Sequence, residues 1–265
     1  MEILGYTISI IIGISLGLIG GGGSILTLPV LVYLFHVPPV TATAYSLFIV
    51  GSTSLAGAYP KYKQGLINVR MAILFGIPSI AAVIFTRKVI VPFIPDILFS
   101  IGHFAVSKSL LLMLLLAVLM IGASISLITG NSADRGVTAP QRSNYPAIIL
   151  KGFLTGMLTG LVGAGGGFLI IPAMVVLGRL PIKMAVGTSL AIIAASSLIG
   201  FLGDISGNAA GIDWALLLMI TALAVAGIFI GNIISIRING ASLRKFFGWF
   251  VLLMGIYIVV NELAH

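Results

Sequence analysis

The chain has 265 residues, 59% of them hydrophobic and only 8% charged, with 14 Lys and Arg against 6 Asp and Glu and no cysteine. A soluble domain carries about 25% charged residues, so a soluble fold is excluded, and the missing cysteines exclude disulfides, thiolate zinc sites and thiol catalysis. The net charge of +8 does not mark a nucleic-acid binder, because the basic residues stand singly or in pairs between apolar segments, as in loops at a lipid bilayer.

Met1-Glu2-Ile3-Leu4 lacks the basic n-region and the small-residue cleavage site of a signal peptide, so the first apolar segment is expected to persist. Ten apolar segments follow in chain order: 4–19, 24–35, 40–58, 69–86, 108–128, 146–162, 168–178, 183–202, 213–236 and 245–262. A span needs about 20 apolar residues. Eight segments qualify or nearly so, whereas the second and seventh reach only about 18 Å of a core about 30 Å thick. Each short segment directly follows a run of small residues, Gly20-Gly21-Gly22-Gly23-Ser24 or Gly163-Ala164-Gly165-Gly166-Gly167. Residues 88–107, with Pro92, Pro95, Asp96 and His103 among apolar residues, read as an interfacial segment rather than a span.

The two runs belong to a duplication. Residues 13–57 laid over 156–200 without a gap match at 18 of 45 positions, among them Gly13/Gly156, Gly17/Gly160, Pro29/Pro172, Pro38/Pro181, Ser46/Ser189, Ser54/Ser197 and Gly57/Gly200. Shared apolar bias cannot easily place glycines and prolines in register. The expected organisation is an N-terminal transmembrane repeat over 1–128, a cytoplasmic linker over 129–145 and a C-terminal transmembrane repeat over 146–265. The loop after the third segment carries Lys61, Lys63 and Arg70, but its partner carries Asp204 and Asp213. Equivalent loops of opposite charge fit inverted halves under the positive-inside rule. That threading puts both termini outside and leaves Arg87, Lys88 and Lys108 as the basic residues that disobey. The fold class is therefore an all-α integral membrane protein of two inverted repeats, about five apolar segments each, with half-helices after the glycine runs.

Short segments at matching positions in inverted halves point to a transporter's binding site. Free N–H groups and the positive dipole end of a half-helix favour an anion, and glycine lets bare backbone approach it. The candidate substrate-binding residues are Gly20, Gly21, Gly22, Gly23, Ser24, Gly163, Ala164, Gly165, Gly166 and Gly167, with hydroxyls from Thr43, Ser46, Thr188 and Ser189. No cationic side chain is placed inside a span. Gly13, Gly17, Gly156 and Gly160 are small-xxx-small patterns that serve helix packing, and Asp204 and Asp213 read as solvated loop charges at helix ends. His36, His103 and His265 are scattered without ligand spacing, so neither a metal nor a cofactor is expected. HExxH, GxSxG and P-loop patterns are absent, which argues against an enzyme or a self-powered pump.

The motif Gly17-x2-Gly20-Gly21-Gly22-Gly23-x5-Pro29 and its echo Gly160-x2-Gly163-x-Gly165-Gly166-Gly167-x4-Pro172 resemble the TauE/SafE family, sulfite-exporter-like permeases also called the toluene sulfonate uptake permease family. The resemblance covers nearly the whole chain. It implies transport of a small sulfur-containing anion, such as sulfite or an organosulfonate, across the bacterial inner membrane, with the paired glycine runs as the substrate region. Export is the expected direction. The alternatives are an uptake permease or channel for another small anion, or a non-transporting membrane scaffold. The expected partners are the anion and the lipid bilayer, and a homo-oligomer is compatible with both.

Overall fold

A computed structural model of the chain describes residues 2–21, 23–95, 97–101, 104–129, 145–162, 170–171, 174, 180–208, 212–235 and 240–264. Helix α1 (Glu2–Ile19) runs into the first glycine run, where Gly20 takes φ +78° and donates its N–H to Leu16 O at 2.7 Å. Only glycine adopts that left-handed turn cheaply, and it reverses the chain into α2 (Ser24–Tyr33). At 10 residues and 1.5 Å per residue, α2 is about 15 Å long and cannot cross a bilayer. A second turn leads to α3 (Pro39–Lys63), whose Pro39 opens the helix, where its missing N–H costs nothing.

Helix α4 (Val69–Phe85) continues through a π-helical turn (Thr86–Ile90) into the short α5 (Val91–Phe93). A hairpin of β1 (Ile97–Ile101) and β2 (Phe104–Ser107), paired from Ile97↔Ser107 to Ile101↔Phe104, precedes α6 (Lys108–Thr129). This hairpin is the only strand pairing among the described residues. Then come α7 (Tyr145–Val162), α8 (Ile182–Asn208), α9 (Trp214–Ser235) and α10 (Gly240–Ala264). Among the described residues, five helical stretches are long and apolar enough to span a membrane, and three shorter apolar helices lie within α1, α7 and α10. The fold is an all-α membrane protein.

Two expectations are corrected here. The fourth segment does not stop at residue 86: the apolar span runs Val69–Phe93, because the π turn absorbs its irregularity without breaking the helix. Arg87 and Lys88 therefore lie within a span. The eighth segment likewise does not stop at 202, since α8 is helical to Asn208, which makes Asp204 a helix residue rather than a loop charge.

Helix pairing follows one rule in both halves. α1 packs against α9 and α4 against α7, while α3 pairs with α8 and α6 with α10. The contacts that define these pairs recur at two offsets, 143 residues from α1 to α7 and from α3 to α8, and 145 from α4 to α9. Gly13 lies against Ala224 and Gly17 against Ile228; their counterparts Gly156 and Gly160 lie against Ser79 and Val83. Gly57 lies against Ile228 and Leu190, and Gly200 against Val83 and Leu47. In a bilayer, where lipid is as apolar as leucine, such small-residue seams let backbones approach closely and supply much of the association.

Hydrogen bonds repeat as well. Val37 N–H donates to Leu31 O (3.0 Å) and Leu180 N–H to Met174 O (3.3 Å), closing equivalent turns. Asn68 and Asp213 cap α4 and α9, their Oδ1 atoms each accepting from the N–H three residues on, Met71 and Leu216, at 3.0 Å. The backbone N–H of each cap donates across to a hydroxyl of the other half: Asn68 to Thr188 Oγ1 (2.9 Å), Asp213 to Tyr45 Oη (2.6 Å). Asp213 is thus a helix cap.

Direction along the central pair is also legible. Leu47 meets Gly200, Gly51 meets Leu198 and Gly57 meets Leu190, so numbers rise along α3 as they fall along α8. Equivalent helices that run antiparallel are what a two-fold axis lying across them produces. By contrast, Gly13/Ala224 and Gly17/Ile228 place α1 and α9 parallel.

The glycine seams separate two kinds of substitution. A Cβ at Gly13 or Gly156 would run into the carbonyl oxygen of Ala224 or Ser79, whereas one at Gly122 meets nothing within 4 Å. Gly13→Ala and Gly156→Ala are expected to destabilise the detergent-solubilised protein by about 1–3 kcal/mol, the usual cost of overpacking. Gly122→Ala, mid-helix, is expected to stabilise it by about 0.5–1 kcal/mol. Thermal melts of the three variants check the sign of each.

Candidate functional site

The first glycine run is a buried turn clamped between α1 and α8. Gly20, Gly21 and Gly23 are buried, and any side chain at Gly20 would strike Val186, while one at Gly23 would strike Ser15 and Ile12. The Ser189 hydroxyl donates to Gly20 O (3.1 Å) and to Val186 O (2.9 Å). The Ser24 hydroxyl turns back to Gly21 O (2.7 Å), and the N-terminus of α2 has no side-chain cap. Uncapped first-turn N–H groups leave the positive end of the half-helix available. One turn further on, the buried Thr27 Oγ1 has no partner.

Gly22, Gly163, Ala164, Gly165, Gly166 and Gly167 lie outside the described residues, as does most of the expected half-helix over 168–178. Of the four candidate hydroxyls, Ser189 reaches the first run and Thr188 is engaged by the Asn68 N–H. Thr43 and Ser46 stand elsewhere. Thr43 lies beside α8 at Asp204, whereas Gly187, next to Thr188, faces Lys61 and Leu66 at the opposite end of α3. On antiparallel helices Ser46 and Ser189 are separated by about twelve residues of rise, roughly 18 Å. The described residues thus form two clusters, one toward each end of the α3–α8 pair. Three hydroxyls of this pair, Ser46 and Ser54 on α3 and Ser197 on α8, are buried with no hydrogen-bond partner.

The cluster at the α3 N-terminus contains the feature that sequence reasoning missed. Arg87, on the π turn, has a side chain only 2% exposed and pairs through Nη1 with Asp204 Oδ2 at 2.8 Å. The same Nη1 donates to Thr43 Oγ1 at 3.0 Å. This corrects the expectation that no cation lies inside a span. A charged side chain at membrane depth is costly, faces the protein interior and marks a functional position. One signal could have found it: Arg87 is among the few basic residues that break the positive-inside pattern. Asp204 gave no such signal, because a helix end and a loop look alike in composition.

A bundle of apolar helices with buried polar groups along its α3–α8 pair is the build of a polytopic membrane transporter. The chain belongs to the sulfite exporter TauE/SafE family, whose model matches residues 6–258. It is 27% identical over 264 residues to a "Probable membrane transporter protein" of Xylella fastidiosa (strain 9a5c), covering 96% of this chain and 93% of that one. It is also 30% identical over 260 residues to "Probable membrane transporter protein YunE" of Bacillus subtilis (strain 168), covering 89% of each, and 29% identical to YdhB of the same organism over 83% of this chain and 85% of that one. No solved structure matches. The protein is accordingly a multi-pass membrane transporter rather than an enzyme.

The turn at Gly20 combines a positive φ with a tight wall. Gly20→Ala is expected to cost about 1–2 kcal/mol from the backbone conformation alone, and more from the contact with Val186. Adding Val186→Ala should recover the contact portion and leave the backbone portion. A double-mutant cycle on melting temperature separates the two, and a fully additive cycle would show that the wall does not matter.

Proposed function

We propose that this protein carries a small sulfur-containing anion, such as sulfite or an organosulfonate, out of the cell across the inner membrane. The two halves are inverted repeats, each contributing one glycine run, and the anion meets their half-helix N-termini in turn. The substrate-binding groups are the backbone of Gly20–Ser24 and of Gly163–Gly167, with Thr43, Ser46, Thr188 and Ser189 as hydroxyl neighbours. The observation that carries this reading is the set of unpartnered buried hydroxyls on the α3–α8 pair. Buried polar groups are almost always satisfied, and lone hydroxyls along the axis of a bundle suit a wet path for a polar solute.

Several features support the individual parts. The antiparallel packing of α3 on α8 and the repeated contacts support inverted repeats. The uncapped N-terminus of α2 favours an anion over a cation. The family description supports sulfur as the hetero-atom. An inside-negative potential favours anion exit by about 2.3 kcal/mol per charge per 100 mV, so export needs no coupled ion.

Proteoliposomes loaded with sulfite or sulfoacetate test the substrate. Efflux is expected to rise with an inside-negative potential, and Gly22→Val and Gly165→Val are expected to abolish it while the protein still purifies as a monodisperse species. Movement of a dicarboxylate with neither sulfur anion would overturn the sulfur assignment. Topology is tested separately in this cysteine-free chain. Single cysteines at 59–68 and at 209–212 should label with an impermeant thiol reagent from opposite sides, the first from the cytoplasm. Labelling from one side would end the inverted-repeat reading.

A further inference from the structure

Arg87 has donors to spare. Its Nη1 serves both Asp204 and Thr43, but Nε and Nη2 have no partner although both are buried. These two N–H groups form one edge of the guanidinium, a flat fork spaced to take two oxygens of one oxyanion. Close by, Thr86 Oγ1 and, one turn along α3 from Thr43, Ser46 Oγ are also buried without partners. An arginine sealed from water is expected to have its N–H groups satisfied, so half a fork left free is a feature that calls for a ligand.

Position argues the same way. Gly160, which lies against Thr86, is two residues before the end of α7 at Val162, and the second glycine run starts directly after that helix. The counterpart of Arg87 in the other half is Asn232, 145 residues on, whose two amide atoms are also buried and unpartnered. The counterpart of Asp204 by the repeat offset of 143 is Lys61. The corresponding positions are therefore chemically unequal: one pair is a guanidinium tethered to a carboxylate, the other a neutral amide on α9 and a lysine on α3.

We propose that Arg87 is the oxyanion-binding residue at the α3 N-terminal end of the seam, with its Nε–Nη2 edge taking two oxygens of the transported anion and Thr43 and Asp204 holding the guanidinium in place. Asp204 restrains binding, since its negative charge partly cancels the attraction. This rests on the anion-transport reading and names the cationic group that reading lacks. It selects for planar or pyramidal oxyanions over single-atom anions, because a halide cannot use both prongs of the fork.

The test uses the full chain in lipid nanodiscs, with isothermal titration of sulfite, sulfoacetate, acetate and bromide. Wild type is expected to prefer oxyanions over bromide. Arg87→Lys, which keeps the charge but not the fork, should weaken oxyanion binding at least tenfold and erase that preference. Asp204→Asn should tighten oxyanion binding about tenfold. Unchanged affinity in Arg87→Lys overturns the proposal even if wild type moves sulfite, which leaves the transport reading standing. Binding of acetate alone, lost in Arg87→Lys, overturns the sulfur assignment and sustains Arg87. If the Arg87 variant does not fold, Asp204→Asn decides, and unaltered or weaker binding there overturns the proposal.

Discussion

Inside a bilayer, a backbone or side-chain polar group has no water to turn to, and most of this structure is organised by that constraint. It makes every spanning element a helix and forces each non-helical turn at depth to be walled in by protein. The turn at Gly20 meets the condition by burying its carbonyl against the Ser189 hydroxyl and its Cα against Val186. The caps at Asn68 and Asp213 meet it by sending each backbone N–H to a hydroxyl on the opposite half. These bonds tie the halves together at both ends of the central pair, so they hold the fold as well as satisfying the backbone.

Close approach is the second consequence. With no hydrophobic drive between spans, association depends on packing, and the α1–α9 and α4–α7 seams obtain it through glycines seated on carbonyl oxygens. Each seam joins the first helix of one half to the fourth of the other. The halves are therefore interlocked rather than docked side by side, and neither can bury its own first helix alone. Between these two seams lies the antiparallel α3–α8 crossing.

The polar groups left over are found along that crossing. A buried ion pair is weak support for stability, because desolvation offsets much of the attraction, so Arg87 and Asp204 are better understood through what they can bind or release than through what they hold. Asn232 on α9 and Lys61 on α3, at the corresponding positions, have different chemistry from this pair.

The amino-acid sequence by itself determined the class, the approximate spans and the short second segment. Each of these rests on local composition: an apolar run long enough to span, or a glycine run followed by too few apolar residues. The residues that line the first turn, Gly20 and Gly23, were legible for the same reason. Only tertiary structure decided that α1 joins α9, that Thr188 serves a cap, and that Ser46 and Ser189 sit at different levels. It also decided that Arg87 meets Asp204, 117 residues away. The sequence pattern marks Arg87 only as an exception to a charge rule, and a carboxylate near a helix end has no local feature that distinguishes solvent from a buried cation. Which of the two it meets depends on how antiparallel helices cross, and that is set by packing between residues far apart in the chain.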